Sequence, residues 1–182
     1  MYQGGGGHAM KRLCLLRHAK ADGGSGARGD FDRPLVERGV QAARTMGEFM
    51  AAQRIHPEVV LCSPARRAQE TWQALAVFLD EPQVILAEAL YAATGATLLR
   101  ILRELPDAVV SALLIGHNPG IQELAMELVV PDLAVAREPL RRLRHKYATA
   151  ALAGFTAPFA TWTTLAERSC ALDFFIRPAD LV

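Results

Sequence analysis

The sequence predicts an α/β fold: a mostly parallel sheet with helices on both faces and an antiparallel pair of strands at one edge. Three observations lead there. Short, uniformly apolar runs recur along the chain, as strands buried on both faces of a parallel sheet require. Segments with apolar residues at helical spacing alternate with them as far as Leu128, which is the rhythm of a sheet wrapped in crossover helices. Beyond that point two strand-like runs follow with no helix of useful length between them.

In order, Leu13-Cys14-Leu15-Leu16 reads as the first strand, and residues 36 to 52 set Val36, Val40, Ala43, Gly47 and Met50 along one helical stripe. Val59-Val60-Leu61-Cys62 is the second strand, ahead of a helix carrying Ala68, Trp72, Leu75 and Leu79. Val84-Ile85-Leu86 is a short third strand, and the helix after it presents Leu98, Ile101, Leu102 and Leu105. Val109 to Ile115 forms the fourth strand, and Ile121, Leu124, Ala125 and Leu128 mark the next helix. Ala148 to Phe155 and Leu172 to Ile176 are the antiparallel edge pair. Residues 1 to 9 resemble a tag or an unstructured extension, which leaves 10 to 182 as a single domain. Two stretches read as irregular: the glycine-rich loop 22 to 30, and residues 131 to 146, where Arg137, Arg141, Arg142, Arg144 and Lys146 crowd together.

Composition narrows the function classes. The 182 residues are 51% hydrophobic and carry 20 Lys and Arg against 19 Asp and Glu, a net charge of +1. Such a balance argues against a nucleic-acid binder, which relies on excess cations. No run approaches the roughly 18 to 20 apolar residues of a membrane span, and a signal peptide's charged start and apolar middle are missing. Three widely spaced cysteines, Cys14, Cys62 and Cys170, read as reduced thiols in a cytoplasmic protein.

In open α/β sheets ligands bind beyond the carboxyl ends of the strands. Arg17-His18 follows the first strand, Ser63-Pro64-Ala65-Arg66-Arg67 the second, and Gly116-His117-Asn118-Pro119-Gly120 the fourth. Ser63 before Pro64 and Asn118 before Pro119 also read as helix caps with proline at the first helical position. Each motif alone has a bland reading, as surface decoration, a capping turn or a solvated helix face. Together, two histidines, arginines and helix N-termini at one edge describe a site for a phosphoryl dianion. A cysteine phosphatase needs arginine six positions after its cysteine, where this chain has Lys20, Ala68 and Ile176. No GxxxxGK[ST] loop follows the first strand, and no HExxH or HxH offers a compact metal site. A metal hydrolase stays open only through scattered ligands, and the favoured chemistry is a histidine nucleophile with arginine clamps, no metal and no cofactor.

The segments LLRHAKAD, DFDRPLVERG, LCSPARRAQET, EALY and LLIGHNPG, in this order, resemble the histidine phosphatase superfamily, and within it the SixA-like phosphohistidine phosphatases. The likeness implies a phosphoglycerate mutase-like three-layer α/β/α sandwich and phosphoryl transfer through a covalent phosphohistidine. It also implies site residues: His18 as nucleophile, Arg17 beside it, and His117 as the pocket's second histidine. Arg67, four positions after Ser63, matches the second clamp, and Arg33 a further pocket arginine. Ser63 and Asn118 fall among the substrate-binding positions. Glu88 matches the acid that mutase-type relatives use on an alcohol leaving group, and Asp22 is a second candidate. The expected substrate is a phosphorylated protein of the histidine-containing phosphotransfer type. The alternatives are a small phosphate ester or binding of phosphate without turnover. No nucleic acid and no membrane are expected as partners.

Overall fold

A computed structural model describes residues 10–23, 29–130 and 137–181. The readings of residues 1–9, of the middle of the glycine-rich loop and of 131–136 lie outside that set. Six strands form one sheet in the order β3-β2-β4-β1-β5-β6. They are β1 (Lys11–Arg17), β2 (Val59–Cys62), β3 (Gln83–Leu86), β4 (Ser111–Gly116), β5 (Leu152–Ala157) and β6 (Ala171–Ile176). The first four run parallel, β5 is antiparallel to β1, and β6 is antiparallel to β5. The helices are α1 (Glu37–Ala52), α2 (Arg66–Ala76), α3 (Gly95–Arg103), α4 (Gly120–Leu128) and α5 (Arg137–His145).

Alternation along the strands divides the core in two. Leu13, Leu15, Val59, Leu61, Ala112 and Leu114 face the side packed by α3, α4 and α5. Cys14, Leu16, Val60, Cys62, Leu113 and Ile115 face Met46 and Met50 of α1 and Leu75 of α2. The result is the expected three-layer sandwich. The three central strands β2, β4 and β1 are buried on both faces, which explains their unbroken apolar runs. At one border β3 exposes all four residues, Val84, Ile85 and Leu86 among them. All three thiols are free and buried, and burial first of all pushes Cys14 and Cys62 up to about 12 and Cys170 to about 11.

Three local readings need correction. Residues 137 to 145 form α5, not an irregular stretch, because Leu140 and Leu143 share one buried face against β6 and α4. Helix α2 begins at Arg66, not Pro64, and α4 at Gly120, not Pro119. Neither Ser63 nor Asn118 caps its helix: the caps are Ala65 and Pro119, whose side chains offer the first-turn N–H groups no acceptor. Both polar side chains are engaged elsewhere.

Candidate active site

Strands β1, β2 and β4 end level, so the residues after them meet. The His18 N–H donates to the Gly116 carbonyl at 3.0 Å and the Ser63 N–H to the Ile115 carbonyl at 3.0 Å. This brings the rings of His18 and His117 to 5.1 Å between centroids. A cavity of about 360 Å³ opens there, lined by Arg17, His18, Arg33, Arg67, His117 and Asn118 of the expected set, with Lys20, Asp30, Tyr91 and Thr149.

The protonation of His18 follows from its partners. Nδ1 lies 2.7 Å from the Ala19 carbonyl, which can only accept, so Nδ1 carries the proton. Nε2 then keeps its lone pair, and Arg67 Nε donates to it at 3.3 Å. Burial pushes the His18 pKa down to about 3; the Ala19 carbonyl opposes this, while the charges of His117, Arg67 and Arg17 reinforce it. His117 is oriented in the same way. Its Nδ1 accepts from Arg67 Nη2 at 3.3 Å, so Nε2 donates to Ser63 Oγ at 2.7 Å. Burial, then Arg67, lowers its pKa to about 4. Both rings are therefore neutral near pH 7.

Arg67 joins the parts. It is buried, and besides its contacts to both histidines it donates through Nη1 to the Asp30 carbonyl at 2.5 Å and through Nη2 to the Asp30 carboxylate at 3.0 Å. Arg66 points outward and pairs with Glu70 at 2.6 Å. Arg17 Nη1 donates to the Tyr147 carbonyl at 2.7 Å, while its buried Nε has no protein partner among the described residues. A buried donor without an acceptor is costly, and a phosphoryl oxygen is the kind of group that would satisfy it.

Three candidate site residues do not line the cavity. Ser63 is fully buried behind His117 and holds that ring instead of touching the pocket. Glu88, in a short 3-10 turn after β3, is exposed and outside the lining, because that turn presents it to solvent. Asp22 is also outside it: its carboxylate accepts from the Gly23 N–H and its carbonyl from Arg33 Nε.

Three residues were missed. Asp30 accepts from Arg33 at 2.8 Å, from the Tyr91 hydroxyl at 2.8 Å and from Arg67, and these donors, Arg33 and then Tyr91 foremost, hold its carboxyl well below the usual range. Tyr91 stands edge-on to His117 at 5.7 Å. Thr71 Oγ1 accepts from the Ala19 N–H at 2.9 Å and donates to the Arg67 carbonyl, which ties α2 to the residue whose carbonyl fixes the His18 tautomer. Thr71 stands four positions after Arg67 in the motif already quoted, so its signal was in plain view.

Comparison with known proteins bears on the family and the fold. Residues 13–92 match the family model of the histidine phosphatase superfamily (branch 1). An uncharacterised protein of Mycobacterium tuberculosis is 34% identical over 141 residues, covering 76% of this chain and 84% of its own length. Phosphohistidine phosphatase SixA of Escherichia coli is 30% identical over 120 residues, 64% of this chain and 73% of its own. The structure of the candidate phosphohistidine phosphatase SixA of Nakamurella multipartita superimposes with a TM-score of 0.80 at 30% identity, covering 93% of this chain and 96% of that one. Such likeness in sequence and in fold supports a phosphatase, and the chain belongs to the histidine phosphatase superfamily, as a SixA-like member.

Proposed function

We propose that the protein hydrolyses phosphohistidine on another protein through a covalent phosphohistidine at His18. The carrying observation is the fixed tautomer: Nδ1–H is bound to Ala19 and the Nε2 lone pair faces the guanidinium of Arg67. In the first step that lone pair forms a bond to phosphorus. The bond from phosphorus to the substrate nitrogen breaks, and its electron pair stays with the departing imidazole. In the second step water attacks phosphorus, the bond to His18 Nε2 breaks, and inorganic phosphate leaves. Arg17, Arg33 and Arg67 offer donors to the phosphoryl oxygens as charge redistributes. His117, held by Ser63 through Nε2, keeps Nδ1 toward Arg67 and so steadies that clamp while the phosphoryl group is transferred.

The pocket's carboxylate bears on the leaving group. Among the described residues Asp30 is the one Asp or Glu lining the cavity, and its three donors keep it ionised. An alkoxide leaving group calls for a protonated acid, whereas a protonated phosphoimidazole departs as neutral imidazole. That difference favours phosphohistidine over a phosphate monoester. The test compares kcat/KM on phosphohistidine peptides and on a panel of phosphomonoesters, for the wild type and His18→Ala. Phosphohistidine should be preferred, His18→Ala should be inactive, and the trapped phosphoenzyme should be acid-labile and base-stable. A preference for monoesters would reassign the substrate to small metabolites, and binding without release would leave a phosphate-binding module.

A further inference from the structure

We propose that the surface running from the active-site mouth to α5 docks an acidic segment of the protein that carries the phosphoryl group, an inference that rests on the phosphoprotein reading above. A second cavity, of about 570 Å³, adjoins the catalytic one and shares Lys20 and Thr149 with it. Its cationic walls are Lys20, Arg38, Lys146 and Arg177, with His145 beside them, over a floor that includes Ala42 and Ala148. A smaller depression of about 280 Å³ shares His145, Lys146 and Arg177 and carries the surface on to Arg141 and Arg142 of α5.

The charge here is segregated. Lys20, Arg38, Arg141, Arg142, Lys146 and Arg177 face two carboxylates: Glu138 binds Arg141 and Arg142, and Asp180 binds Arg142 and Arg177. Lys20, Arg38 and Lys146 form no ion pair among the described residues. The whole chain carries only +1, so the rest of it is net acidic and the positive field is concentrated beside His18. Small apolar side chains between the cations suit the methylene stems of glutamates whose carboxylates reach the rim. The surface extends well past the reach of a small ester seated on His18. Neither depression is lined by Phe, Tyr or Trp, the broad aromatic faces on which single-stranded nucleic-acid binders stack successive bases. The large exposed apolar residues among those described, Met10, Phe31, Val77, Val84, Ile85 and Leu86, lie outside both depressions, which leaves no anchor there for a lipid surface. An acidic polypeptide is the partner that remains, with its approach accelerated by attraction and slowed by salt.

The experiment uses phosphohistidine peptides of equal length, flanked by glutamates or by alanines, with phosphoramidate as the small substrate. The enzymes are the wild type and the double variant Arg38→Glu/Lys146→Glu, neither residue lining the catalytic cavity. The wild type should favour the acidic peptide about tenfold in kcat/KM at low ionic strength and lose most of that preference at about 0.3 M salt. The double variant should lose the preference and turn over phosphoramidate at the wild-type rate. Equal rates on the two peptides, or an undiminished preference in the double variant, would overturn the docking proposal while phosphohistidine hydrolysis stood. Failure to hydrolyse any N-phosphoryl compound, with aryl esters still consumed, would overturn the phosphohistidine reading instead. In that event fluorescence anisotropy of the unphosphorylated acidic peptide decides the docking proposal, which requires weaker binding to the double variant. Tighter binding of single-stranded RNA or of anionic lipid vesicles than of the acidic peptide would count against it.

Discussion

Arg67 donates to both histidines and to Asp30, so its guanidinium fixes the nucleophile, the second histidine and the carboxylate at the pocket mouth at once. Arg67→Ala should lower kcat/KM by about 10² to 10³, the scale of a lost transition-state donor. Arg66→Ala should change it less than about threefold, because an exposed i,i+4 pair with Glu70 contributes only about 0.3 to 0.5 kcal/mol. Kinetics on both single variants check the contrast, and equal losses would contradict it. The sequence distinguished these two arginines through the count from Ser63, and it also made Arg17, His18 and His117 legible, because each stands at or just past the end of a buried strand. Asp30 was not legible. It sits among glycines and aspartates that read as a solvated turn, and only the fold brings it to Arg67 and Tyr91, which are 37 and 61 positions away. Glu88 erred the other way: a family position suggested a role that its turn, facing solvent, does not support.

At the scale of elements, the clearest signals came from β1, β2 and β4, whose burial on both faces forces runs without polar interruption. The starts of α2 and α4 were misread because a polar residue before proline has competing uses. Ser63 Oγ is taken by His117, and Asn118 Nδ2 donates to Gln122 at 3.2 Å across a cis Asn118–Pro119 peptide. Helix α5 was missed since only two leucines carry its buried face while arginines occupy much of the rest. Contact between elements also limits substitution. The first turn of α1 presses against the loop after β1, and a Cβ at Gly39 would collide with the Lys20 carbonyl, which accepts from the Val36 N–H at 3.0 Å. Gly39→Ala should therefore destabilise the protein by about 1 to 3 kcal/mol, as an overpacked contact does. It should also lower kcat, because Lys20 lies two residues from His18. Chemical denaturation together with initial rates checks both effects, and an unchanged midpoint would show that the loop yields freely.

For the whole molecule, the two lowered imidazole pKa values set a dependence of stability on pH. Both histidines have an ordinary value of 6.5, and the fold lowers them to about 3 and about 4, so above pH 6.5 the fold keeps the full benefit. Between pH 6.5 and about 4 the unfolded chain takes up protons that the fold refuses, and stability falls, by at most about 1.4 kcal/mol per pH unit for each histidine. Asp180 and Glu138, lowered to about 2 chiefly by Arg177 and Arg141, add their losses only at more acidic pH. Urea titrations from pH 7 to 4.5 should give a slope that His117→Gln flattens, and an identical slope in that variant would contradict the account. Strand β3 has a different consequence. Among the described residues its outer edge is unpaired, Val84, Ile85 and Leu86 are 41%, 36% and 53% exposed, and the chain's isoelectric point is near 7.8. Near that pH little net repulsion keeps molecules apart, and a bare apolar edge is a template for strand-to-strand growth. Concentrated solutions should therefore turn turbid fastest close to pH 7.8, and Ile85→Lys should delay the onset without altering catalysis, as light scattering and rate assays on one sample would reveal.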